Sequence, residues 1–227
     1  MRGSNFHGAG ASAIQSLARF IKETIGIANN LMPVTIKKYS EARLDDCVAL
    51  LADAFVTNPL HLSAFGPGRM DQNRLFFRIG LRHMFVGQSF VAEDEGKSCG
   101  YVHFNPWPNC LPAPEEVPTA IATLLTPLGE SIPQVIRWFT RWCHIDPDEP
   151  HMHLGPIGVA PGRQGKGIGT ALMRRYIEHL EEEKLAGYLE TDRAENVEFY
   201  KKFGFVLHSS EELIGTPVWY MWRLAPS

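Results

Sequence analysis

The chain has 227 residues, a formal charge of −3, 44% hydrophobic and 21% charged residues. That suits one globular α/β domain with or without an appendage, large enough to need no disulfides, and argues against non-specific nucleic-acid binding. Cys47, Cys99, Cys110 and Cys143 form no C-x-x-C pair and no apolar run approaches the roughly 18 residues of a membrane helix, so a cytoplasmic protein with reduced thiols and no membrane partner is expected.

In chain order, residues 1–12 are rich in Gly, Ser and Ala and read as disordered. Residues 13–28 carry Ile14, Leu17, Ala18, Ile21 and Ile25 at helical spacing beside Arg19 and Lys22. A docked or frayed helix is expected there, with a membrane-surface helix or processed leader as alternatives. Residues 1–30 are therefore set apart as an extension, and 31–227 as one domain.

Residues 34–39 read as a strand, and 41–56 as a helix closed by Asn58-Pro59. A second helix is expected over 71–86, through Leu75, Phe76, Ile79, Met84 and Phe85. Residues 89–94 and 98–104 read as a hairpin around Glu95-Gly96-Lys97. Five prolines between 106 and 118 forbid regular structure, and a helix near 119–142 is expected to break at Pro127 or Pro133. This Pro- and Trp-rich insert, about 105–150, is either a substrate lid or a surface loop packed by Trp107, Trp138 and Trp142. Its acidic run Asp146–Pro150 reads as a solvated loop, or as a lure for a cationic substrate. Then follow a strand (151–159), a helix (167–184), a strand (186–191), a short helix (197–203) and strands at 204–209 and 217–224. Strands at both ends with a β-turn-α-β unit inside imply a mixed sheet with helices on its faces.

The strand His151–Val159 changes phase. Met152 and Leu154 share one parity, Ile157 and Val159 the other. Keeping all four in one core needs an extra residue, so a bulge is expected near Gly155-Pro156. Groups left unpaired there are free to bind an extended ligand. His151 and His153 fall on the opposite face from Met152 and Leu154. A His-x-His pair is a possible metal site, but no third ligand has a convincing spacing, so no metal is expected.

Gly162, Gly165, Gly167 and Gly169 surround a helix start. Amides there carry the positive helix end, and glycines let a phosphate approach. The nucleotide P-loop pattern fails at Ala160 and Gly167, and the dinucleotide fingerprint fails because its third glycine comes one residue early, at Gly169. The pattern [QR]-x-x-G-x-[GA] does fit, at Gln164, Gly167 and Gly169. It resembles the acetyl-coenzyme A loop of the GNAT acetyltransferase superfamily. Asn196-Val-Glu-Phe-Tyr-Lys-Lys-Phe-Gly-Phe205 resembles that family's N-x-x-[FY]-Y-x-x-x-G-[FY], in the same order and separation. The likeness covers about 150–224. A looser similarity runs to the puromycin-acetyltransferase branch. From physics alone, Asn196 suits a helix N-cap and Gly204 the left-handed residue past the helix end, with Phe199 and Phe203 facing the core and Tyr200 on another flank.

The resemblance implies a GNAT-like α/β (α+β mixed) fold: a mostly antiparallel twisted sheet of about seven strands, flanked by helices, with a bulged central strand. It implies an N-acetyltransferase with acetyl-CoA as co-substrate and a small-molecule primary amine as acceptor, acting as monomer or homodimer. The backbone of Ile157, Gly158 and Val159 would hold the pantetheine arm. Arg163, Gln164, Gly165, Lys166, Gly167, Ile168, Gly169 and Thr170 would hold the pyrophosphate, and Asn196 the outer arm. Tyr200 would protonate the departing sulfur. The base would be His153, eleven residues before Gln164, or His151 or Glu190. A protein or peptide N-acetyltransferase, and a non-catalytic acyl-CoA sensor, are the alternatives.

Overall fold

The structure is a computed structural model that describes residues 34–113 and 115–226. The helix expected at 13–28, and the 1–30 extension, lie outside the described residues. The elements run β1 (Thr35–Lys38), α1 (Leu44–Phe55), α2 (Pro59–Phe65), α3 (Met70–Ile79), β2 (Gln88–Asp94), β3 (Lys97–Pro106), α4 (Val117–Leu124), α5 (Ile132–Ile145), β4 (His151–Val159), α6 (Ile168–Glu183), β5 (Ala186–Thr191), α7 (Ala194–Lys201), β6 (Val206–Leu213) and β7 (Thr216–Arg223). The strands form one seven-stranded sheet, ordered β1-β2-β3-β4-β5-β7-β6. Among the described strands only β4 and β5 pair in parallel, which requires the crossover helix α6 between them.

Strand alternation divides the core between the two faces. On one, Tyr101, Tyr188 and Tyr220 pack with α1, α2, α3 and the insert helices. On the other, Val102, Phe104, Met152, Leu154 and Leu189 pack with α6 and α7. No single described helix is long and apolar enough to cross a membrane.

The expected bulge is present. Val102 pairs with Ile157 and Phe104 with Leu154, so β4 spends one residue more than β3 at Gly155-Pro156. All four residues with conflicting parity consequently join one core: Met152 and Leu154 are buried there, and Ile157 and Val159 pack against it.

Several boundaries differ from expectation. Asn58-Pro59 ends α1 but also starts α2: the Asn58 side chain accepts from the His61 amide, and Pro59 occupies the first turn, where no N–H is missed. Helix α3 stops at Ile79 and gives way to a π-turn, Gly80–Met84, in place of running to 86. The insert helix breaks into α4, a 3-10 turn over Thr126–Ser131 and α5, with Pro127 and Pro133 at the joins. Helix α7 starts three residues early because Arg193, not Asn196, is its N-cap. Strand β6 extends to Leu213, its polar, mostly exposed residues giving no alternating apolar signal to read.

Candidate active site

Two elements part at the centre of the sheet. Pairing between β4 and β5 ends at Leu154 with Leu189. Strand β4 continues to Val159, held only by β3 on its other side. The β5-facing backbone of residues 155–159 thus has no strand neighbour, and apart from the Val159 carbonyl its polar groups are available to an extended ligand. Just beyond, the chain turns into α6 through Gly162, Gly165 and Gly167, at φ of 78°, 73° and 79°. These are left-handed conformations that side chains resist. No side chain caps the start of α6, so its first amides remain open. Gln164 closes the turn by donating to the Val159 carbonyl at 3.2 Å. The Arg163 guanidinium is ion-paired with Asp94 at the end of β2, so its charge already has a partner. Lys166 is exposed.

A cavity of about 480 Å³ opens between this parting and the insert. Its floor includes Gly155, Ile157 and Glu190, with Tyr200 and Asn196 from α7. Ile121, Leu124, Trp138 and Trp142 of the insert line it too. The fold thereby brings Tyr200, His153, Glu190, Asn196 and Ile157 to one space, while residues 163–170 lie outside it at the α6 terminus. Asn196 donates its side-chain amide to Thr191 at 3.2 Å. Tyr200 is 5% exposed, and burial, then the Asp192 charge, raises the pKa of its hydroxyl.

His153 and Glu190 are in direct contact. His153 Nε2 lies 2.8 Å from Glu190 Oε2, and His153 Nδ1 lies 2.9 Å from Asp146 Oδ1. Glu190 Oε1 is buried with no hydrogen-bond partner among the described residues. Burial works against the His153 cation, but the Glu190 charge and hydrogen bonds to Asp146, Cys110 and Glu190 outweigh it and raise its pKa well above the usual value. His151 follows the same logic: burial opposes its charge, and hydrogen bonds with Asp146, Cys110 and the Glu149 carbonyl lift it to about 9. Asp146 is correspondingly held well below the carboxylate range by its histidines, against the pull of burial. Asp146 is therefore no part of a solvated acidic loop. It turns inward at the end of α5, whereas Asp148, Glu149 and Pro150 are exposed. Sequence reading missed Asp146 and Cys110 because only the fold of the insert brings them to β4.

His61 forms another part of the cavity wall. It is buried, stacks on Phe77 with ring centres 5.4 Å apart, and contacts Asn73 at 2.6 Å through Nδ1. Burial pulls its pKa down to about 4, and the Asn73 contact offsets this only in part. An unfolded chain binds a proton at His61 below about pH 6.5, and the native chain does not until about pH 4. Stability is therefore whole above that window and falls as pH drops through it, by about 3 kcal/mol for His61. His103, buried and held down to about 3, adds in the same direction. Denaturant midpoints measured from neutral pH to about pH 4 check this; His61→Gln should flatten the slope.

Residues 58–205 match the sequence model of the Acetyltransferase (GNAT) family. A mycothiol acetyltransferase of Paenarthrobacter aurescens is 33% identical over an 82-residue alignment that covers 33% of this chain and 25% of that relative. The Streptomyces avermitilis mycothiol acetyltransferase is 31% identical over 79 residues, 34% of this chain and 26% of that one. The chain thus spans about a quarter of the length of these relatives. Among solved structures, a Corynebacterium glutamicum protein described as histone acetyltransferase HPA2 and related acetyltransferase superposes with TM-score 0.67 at 20% identity, covering 86% of this chain and 98% of that one. Arylalkylamine N-acetyltransferase 2 of Aedes aegypti gives 0.62 at 13%, covering 86% and 99%. At these identities the structures speak for the fold alone, and the narrower likeness to the puromycin branch is not part of the match. A family match over residues 58–205, on a seven-stranded sheet that parts beside a glycine-rich helix start, places this chain in the GNAT family of acetyltransferases.

Proposed function

We propose that the protein transfers acetyl from acetyl-CoA to the primary amine of a small, partly apolar molecule, by direct attack in a ternary complex. One observation carries this reading: Glu190, in contact with His153 at 2.8 Å and with its other oxygen buried, lines the same cavity as Tyr200 and the apolar residues of the insert. An amine is protonated at neutral pH and must lose a proton before it attacks. Glu190 Oε1 takes that proton and also attracts the ammonium. His153 already donates to the other oxygen, so it serves as the positioning residue and Glu190 as the base. Backbone groups along 157–159 hold the pantetheine arm, and an amide there stabilises the oxyanion. Residues 163–170 take the pyrophosphate on the open amides of α6. When the intermediate collapses, the thiolate leaves and receives a proton through Tyr200. Over the cycle one proton is released to solvent.

A peptide substrate needs an open groove, whereas insert residues line this cavity, and a small acceptor fits it better. The test is thiol release from acetyl-CoA across arylalkylamines, polyamines, amino acids, aminoglycosides and peptides. Turnover confined to small amines supports the reading. Peptide turnover alone replaces it, and binding of acetyl-CoA with no release from any amine leaves a sensor.

Tyr200→Phe is expected to lower kcat about 10- to 100-fold with little change in the KM for acetyl-CoA. Steady-state kinetics check this, and unchanged turnover removes Tyr200 from the chemistry.

A further inference from the structure

The geometry points to a zinc site of the closed, four-ligand kind, built from Cys110, Asp146, His151 and His153, that pins the insert to the central strand. Cys110 follows β3, Asp146 caps the end of α5, and both histidines stand on β4. Their ligand atoms all lie within 4.8 Å of one another. Cys110 Sγ is 3.0 Å from Asp146 Oδ2 and 3.6 Å from His151 Nε2. Asp146 Oδ1 is 3.4 Å from His151 Nε2 and 2.9 Å from His153 Nδ1. A tetrahedral zinc with one sulfur and three nitrogen or oxygen ligands has ligand-to-ligand edges of roughly 3.3–3.6 Å; the four distances above straddle that range, and the remaining pairs lie within 4.8 Å, so side-chain adjustment of about an ångström or less closes the site.

The outward side of each histidine argues further. His151 Nδ1 sits 2.7 Å from the Glu149 carbonyl, and His153 Nε2 sits 2.8 Å from Glu190. Each acceptor holds a proton on the outer nitrogen, so that a metal displacing the inner proton meets a lone pair aimed at the site. Different nitrogens are used, yet both inner nitrogens converge on Asp146 and Cys110. Metal-binding histidines have this outer arrangement, with carbonyl or carboxylate behind the ring. Cys110, His151 and His153 are 6%, 0% and 5% exposed, so the centre is shielded. One thiolate, one carboxylate and two imidazoles suit zinc, and four protein ligands leave no open position for a substrate. The ion would be structural. On loading, Cys110 loses its thiol proton, and His151 and His153 lose the protons on their inner nitrogens, all to solvent. Its link to catalysis rests on the function proposed above: a metal on His153 Nδ1 fixes the Nε2–H that orients Glu190.

The experiment uses the full chain, stripped with a chelator and titrated with zinc by calorimetry and with cobalt(II) by absorption. One equivalent of each should bind, and cobalt should give an intense tetrahedral visible spectrum with a thiolate-to-cobalt band in the near ultraviolet. Cys110→Ser should lose that band, whereas Cys143→Ser should keep it. If Cys110→Ser does not fold, X-ray absorption of the zinc-loaded wild type decides, with one sulfur and three light ligands expected. No stoichiometric uptake, an octahedral cobalt spectrum, or a zinc shell without sulfur overturns the site. None of these readouts needs turnover. A zinc-loaded chain that acetylates nothing keeps the site and sinks the acetyl transfer, and an active chain that takes up no metal does the reverse.

Discussion

Glu190→Gln is expected to lower kcat by about two to four orders of magnitude, the range a positioned general base supplies. The substitution keeps size and shape, and the amide oxygen still accepts from His153 Nε2, now 2.8 Å away. What changes is the second atom. Glu190 Oε1, buried and unpartnered, becomes an NH₂ group. An NH₂ neither takes a proton nor attracts an ammonium, so both chemistry and acceptor binding suffer. The acetyl-CoA affinity should stay near wild type, because the pyrophosphate loop lies outside the cavity. Steady-state kinetics with a responsive amine, beside calorimetry with acetyl-CoA, separate these effects. His153→Ala makes the comparison informative. If His153 were itself the base, its loss would match or exceed that of Glu190→Gln, and Glu190→Gln would leave substantial turnover. If His153 positions Glu190, a free carboxylate survives in His153→Ala and a residual rate with it. A near-wild-type Glu190→Gln enzyme ends the assignment of Glu190.

Periodicity and turn chemistry made most of the fold legible. The conflicting parity of Met152 and Leu154 against Ile157 and Val159 could be resolved only by a bulge at Gly155-Pro156, and the register places it there. Strands β4 and β5 were bounded correctly because each is an apolar run ended by a turn or a helix. Short, locally ambiguous pieces were not legible. Helix α2 was lost because Asn58-Pro59 signals a stop and a start alike. The π-turn after Ile79 keeps a helical apolar pattern while changing the backbone. For the site, His153, Glu190 and Tyr200 came from pattern and family likeness, and they share one cavity. Asp146 and Cys110 could not be found that way. Their distances from His151 and His153 depend on how the insert folds back, which is a tertiary fact with no local signal. Hence a His-x-His pair that lacked a third ligand in sequence acquires two more in space.

Gly167→Glu should abolish productive acetyl-CoA binding, weakening it by about a hundredfold or more, the loss of two charge-assisted hydrogen bonds. Gly167 is the N-cap of α6 at φ 79°, ψ 0°. A side chain there strains a left-handed backbone at about 1 kcal/mol. A carboxylate there also competes for the amides the diphosphate needs, and it repels the diphosphate. Gly167→Ala separates the terms: it carries the strain without the charge and should lose far less affinity. Gly215→Glu is a second control, since Gly215 has φ 80° in the β6–β7 turn with nothing within 4 Å of an added Cβ, on the edge hairpin of the sheet beyond β5. Calorimetry with acetyl-CoA on all three, beside thermal melting, distinguishes a blocked loop from an unfolded chain. Because α6 is seated by Ile168, Leu172, Met173 and Tyr176 in the core, the melting temperature should fall only by what the strain dictates. Normal affinity in a folded Gly167→Glu protein would mean that the diphosphate does not rest on this helix. With it would go the placement of the thioester beside Tyr200, since the pantetheine arm reaches the β4–β5 parting only from an anchor at its mouth.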